Sequence, residues 1–138
     1  MLNALSEISW LSILAAFVPY FVLGALWFTF LFPKAYGISL GRDDEAPQKP
    51  ALIFIIGPAL CCLVITIASA VLIHSLEIDS YENALSFSML VGLGYLVANT
   101  FNIAINPNIP RPLLYGLISG SYHLVGISMV SMILVLMK

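Results

Sequence analysis

The polar side chains able to do chemistry are few in this sequence, and their spacing limits what they could do. His123 lies in a long apolar run, and Tyr20, Tyr95, Asn99 and Asn102 lie in two others. An ionisable group in such a place is a functional candidate by default. No Asp or Glu lies inside any of these runs, so nothing there could balance a charged imidazole, and His123 is expected to rest neutral. A bis-histidine haem needs two histidines at one depth. His74 and His123 fall about 34 and 15 Å from the same membrane face, too far apart for one iron. A serine or cysteine hydrolase wants a base oriented by a carboxylate. Ser119 shares the His123 face, but no third member is present and Ser121 points elsewhere. Cys61 and Cys62 are adjacent, point about 100° apart on a helix and read as small apolar fillers. Asp43, Asp44 and Glu45 read as a solvated charge run beside Arg42. The expectation is therefore no enzyme, no metal site and no cofactor.

The elements that must position these residues are set by composition. Of the 138 residues, 61% are hydrophobic and only 9% charged, where a soluble domain carries roughly 25% charged. Charge-free stretches cover 8–33, 50–76, 83–110 and 112–137. A membrane span needs about 20 mostly apolar residues, so each stretch crosses once. The spacing predicts spans at 10–32, 51–74, 83–105 and 113–137. Only helices or closed barrels can span a bilayer, and period-2 alternation is absent. The expected fold is all-α: an integral membrane four-helix bundle in one domain, 1–138, with antiparallel neighbours. A net charge of −2 without a basic run gives nucleic acid no foothold. The first run lacks a basic leader and reads as a retained span. The 33–50 loop, marked irregular by Gly37, Gly41, Pro47 and Pro50, joins the 106–112 turn on one side. Lys34, Arg42, Lys49 and Arg111 lie there, against Lys138 alone on the other. The positive-inside rule then puts 33–50 in the cytoplasm of a cell membrane and both termini outside.

Polar and small residues form stripes along these spans. Ser88, Gly92, Tyr95, Asn99, Asn102 and Asn106 step by three and four. Gly116, Ser119, Gly120, His123 and Gly126 form a second stripe, and Tyr20, Gly24 and Trp27 share a face of the first span. Counted at the helical rise, Asn99 and Gly120 both fall about 10 Å from the cytoplasmic ends, and Tyr95 and His123 about 15 Å. Asn99 is therefore expected opposite Gly120, Asn102 near Gly116, Gly92 level with Gly126, and Tyr95 beside His123. Gly24, Gly92, Gly116, Gly120 and Gly126 would let helices approach closely. Two functions suit this pattern. One is binding or transport of a small solute or proton at a midplane site of Tyr20, Tyr95, Asn99, Asn102 and His123. The other is a structural or accessory subunit in a larger membrane complex. Four short helices rarely enclose a path, so the first requires a homo-oligomer or a large partner within the lipid bilayer.

At Phe21-Val-Leu-Gly-Ala-Leu-Trp-Phe28, then Phe32-Pro-Lys-Ala-Tyr36, the chain resembles an uncharacterised family of small four-span membrane proteins known only as a domain of unknown function. The segment from Tyr115-Gly116 through Ser121-Tyr122-His123-Leu124-Val125 is similar to that family's closing Gly-Tyr-His-Leu. Phe28 stands where the family often has Tyr, and Tyr36 where it has Trp. The resemblance implies four helices and directs notice to Gly24, Trp27, Lys34 and His123. It implies no reaction and no substrate.

Overall fold

Inside a long apolar run the backbone must satisfy its own hydrogen bonds, which makes each run a helix. The computed structural model describes residues 2–42 and 51–138. After a 3-10 turn at Leu2–Ser6 come helix α1 (Trp10–Leu31), a short α2 (Pro33–Ser39), α3 (Ile53–Ser75), α4 (Tyr81–Ala104) and α5 (Pro112–Leu136). The long four are each apolar enough to cross a membrane, with ends within two residues of the sequence expectation. The chain is a multi-pass membrane protein.

Local chemistry sets the ends. Ser9 opens α1, its hydroxyl accepting from the Ser12 N–H at 3.3 Å, and Ser80 opens α4 in the same way through Asn83. Pro112 stands in the first turn of α5 and Pro33 in that of α2, where a missing N–H costs nothing. The loop expected to be irregular from residue 33 is thus helical for its first seven residues. Gly41 ends that helix at φ +70, with its own N–H on Ile38 O (3.1 Å) and the Arg42 N–H on Gly37 O (3.0 Å). The expectations for Asp43, Asp44, Glu45, Pro47, Lys49 and Pro50 lie outside the described residues.

Helix α5 is the axis of the bundle. In its most apolar window 50% of residues are buried, against 22%, 22% and 28% for α1, α3 and α4. Helices α1 and α4 meet it in opposite order along the chain. Tyr20, Gly24 and Trp27 of α1 reach Gly126, Tyr122 and Ile118 in turn. Gly92, Val97 and Phe101 of α4 reach Leu124, Gly120 and Gly116. Two turns depart from α geometry: Trp27–Leu31 in α1 and Gly92–Val97 in α4 are π-helical. Each wide turn holds extra chain and rotates the remainder of its helix, by about 100° for one added residue.

Candidate functional site

Four side chains from three helices meet where α1 and α3 press on α5. Tyr20 of α1 is fully buried, as nearly are Cys62 of α3 and Tyr122 of α5; His123 is partly buried beside them. The Tyr20 hydroxyl lies 3.0 Å from His123 Nδ1. The Tyr122 hydroxyl lies 3.2 Å from Cys62 Sγ. The Tyr20 and Tyr122 rings stack with centroids 5.4 Å apart, and Tyr122 lies 4.8 Å from the His123 ring. The polar groups thus form one cluster from Cys62 to His123.

Glycines on facing helices make this packing possible. The Tyr122 ring occupies the space over Gly24, where an added Cβ would stand 2.9 Å from the phenol oxygen. Reciprocally, a Cβ on Gly126 would collide with the Tyr20 ring edge. Each tyrosine sits in the gap left by a glycine of the other helix. One turn along, the Trp27 indole N–H donates to Ile118 O at 3.0 Å and fixes the register.

Hydrogen bonding leaves two openings. If the imidazole proton is on Nε2, the Tyr20 phenol donates to Nδ1 and the Nε2–H remains a donor. No protein acceptor bonds to it among the described residues. One turn earlier on the same helix face lies Ser119. Other α5 serines bond back to a carbonyl: Ser121 to Leu117, Ser128 to Leu124, Ser131 to Ile127. The Ser119 hydroxyl is buried and makes no hydrogen bond among the described residues.

A family model described as "Protein of unknown function (DUF1761)" matches residues 11–135. The chain belongs to this family. Comparison with curated proteins and with solved structures finds no match. The DUF1761 match takes in Tyr20, Cys62, Ser119, Tyr122 and His123, hence the whole cluster. Glu7 and Lys138 fall outside it.

The sequence expectation joined Tyr20 and His123 at one depth, and the two are in contact. Tyr95 is not the partner of His123: it is 70% exposed on the outer face of α4. Asn99 and Asn102 are exposed there too. The wide turn at Gly92–Val97 is the cause. Ser88 ahead of it and Gly92 at its start face inward, while Tyr95, Asn99 and Asn102 are rotated away. Gly120 therefore faces Val97, 3.3 Å from where its Cβ would be, and Gly116 faces the Phe101 ring. Gly92 lies under Leu124 and Ile127. These glycines do admit close neighbours, but the neighbours are apolar and not asparagine.

Tyr122 belongs to the motif that carries the resemblance but is not among the expected site residues, although it lies four residues before Gly126 and so shares its face. That spacing was the available signal. Cys61 is exposed, unlike Cys62. His74 belongs to the opposite end of the molecule. Its Nε2 lies 2.9 Å from the Glu7 carboxylate, and Lys138 pairs nearby with Asp79. A cavity of about 240 Å³ opens between Glu7, His74 and Lys138. Near Arg111, Tyr36 of α2 rests on Tyr115, with ring centroids 5.8 Å apart. Burial, then the neighbouring Tyr115, pushes the Tyr36 phenol up to about 12. No group of three His, Cys, Asp or Glu able to hold a metal occurs among the described residues.

Proposed function

We propose that this chain binds or moves a small polar solute or a proton at the Tyr20–His123 site, in a cell membrane and without catalytic chemistry of its own. The observation that carries this reading is the Ser119 hydroxyl, buried and unpartnered one turn from His123. Buried hydroxyls are nearly always satisfied, so a water or a solute group suits that position. An Nε2–H donor and a serine hydroxyl on one helix face would offer such a group both a donor and an acceptor. Tyr20 holds the imidazole from the other side, and the tight Tyr20–Tyr122 stack closes the site toward α3. In the other tautomer Nδ1–H would donate to the Tyr20 oxygen and leave Nε2 bare, so that Nε2 could take up a proton from the opening.

The same reading places the 33–50 loop in the cytoplasm and both termini outside. Lys34, Arg42 and Arg111 support it by gathering at the α2 end, where the Arg111 N–H donates to Ser39 O. Lys138, at the other end, is neutralised by Asp79.

The test uses the purified full chain in lipid vesicles holding a pH-sensitive dye, with the proton as probe between pH 5 and 8. His123→Phe keeps the ring bulk and removes both nitrogens. Wild-type flux is expected to vary with pH and the folded mutant to lose it. Wild-type traces matching empty vesicles, or a folded mutant matching wild type, overturn the reading. A second reading, an accessory subunit that packs within a larger assembly, is favoured by the outward polar face of α4.

A further inference from the structure

That face holds polar groups the fold does not use. Tyr95, Ala98, Asn99 and Asn102 follow the i, i+3, i+4, i+7 pattern of one helix face, and all four are exposed. Counted from Ala104, the end of α4, Asn99 lies about 8 Å and Tyr95 about 14 Å inside the span. Lipid chains offer no hydrogen-bond partner at such depths. Other polar residues of α4 solve this within their own helix: Thr100 donates to Leu96 O, and Ser88 donates to Leu85 O. Asn99 and Asn102 make no such bond, and neither does the Tyr95 hydroxyl, among the described residues.

We infer that this face is covered by the same face of a second copy of the chain. Membrane insertion gives every copy one orientation, so a two-fold axis between copies must run along the membrane normal. An isologous contact about that axis sets each residue opposite its own counterpart at equal depth. Such an arrangement suits only side chains that can bond to themselves. A carboxamide can, because it carries both donors and an acceptor, and so can a phenol hydroxyl. A lysine or a glutamate would repel its copy. Asn99 and Asn102 then pair with the partner's amides, as polar residues do between membrane helices. Ala98 lies on the same face between Tyr95 and Asn102 and is small enough to let the backbones close. The assembly uses no residue of the Tyr20–His123 cluster and stands whether or not that cluster takes a solute.

The test is cross-linking of the full chain in vesicles of lipid and this protein alone, in a Cys61→Ala background; Cys62 is buried. Asn99→Cys and Asn102→Cys are expected to give covalent dimers on mild oxidation. Val64→Cys, on the exposed face of α3, is expected to give none. The double variant Asn99→Leu/Asn102→Leu should keep its melting temperature while dimer dissociation shifts by roughly tenfold in protein-to-lipid ratio. A monomer at every ratio overturns the inference, as do equal cross-links from Val64→Cys or an undiminished dimer in the double variant.

Discussion

Tyr20 occupies the space where a side chain on Gly126 would be, and the same tyrosine bonds His123. Gly126→Ala must therefore push the Tyr20 ring aside and stretch that hydrogen bond. Overpacking of this kind costs about 1–3 kcal/mol, to be read as a lower thermal midpoint in detergent. Gly94 is the matched control, since a Cβ there meets nothing within 4 Å. Gly94→Ala should be neutral or stabilise by up to about 1 kcal/mol, the helix-propensity difference. Equal effects from the two changes would mean that the tyrosine–glycine contacts do not hold the site. At this scale the similar depth of Tyr20 and His123 was legible because depth along a helix can be counted from its ends. The sequence could not reveal which way Tyr95 points, because direction depends on every turn before it being regular. Ser119 was visible as a member of a stripe. Its missing partner was not, since that depends on the rotamer.

The four spans were legible to within two residues because charge marks their ends and bilayer thickness sets their length. Helix α2 and the wide turns were not. Glycine and proline in 33–50 read as breakers, yet Pro33 begins a helix and Gly41 ends it. Nothing in Gly92-Leu-Gly-Tyr-Leu-Val97 distinguishes an i→i+5 turn from an ordinary one. A second helix end shows what glycine does at Gly41. Helix α3 closes with the same bond pattern, the Glu77 N–H on His74 O and the Ile78 N–H on Ile73 O. Here the left-handed residue is Glu77, at φ 52. A non-glycine there costs about 1–2 kcal/mol, partly offset by its smaller unfolded-state freedom. Glu77→Gly should thus raise stability by about 0.5–1 kcal/mol, seen as a higher midpoint. Gly41→Ala should do the reverse, because its φ is positive and its Cβ would crowd Pro110 at 3.1 Å. A stabilising Gly41→Ala would contradict this account of both helix ends.

At the scale of the molecule the two ends differ in charge. Lys34, Arg42 and Arg111 stand at one, and Glu7, Glu77, Asp79 and Glu82 at the other with Lys138. The positive-inside rule expects a cysteine at position 34 to react with a membrane-impermeant label only from the cytoplasm, and one at 138 only from outside. Labelling of position 138 from the cytoplasm alone would reverse the orientation. Helix α5 also has a bearing on how the molecule is made. It touches every other span, and it comes after them all in the chain. Translation proceeds from the N-terminus, so α1, α3 and α4 enter the bilayer before their common partner exists. Until α5 arrives, the Tyr20 hydroxyl has no His123 and the Cys62 thiol has no Tyr122. Completion of the site thus waits for α5, and a nascent chain halted before Pro112 is inserted without the Tyr20–His123 and Cys62–Tyr122 contacts.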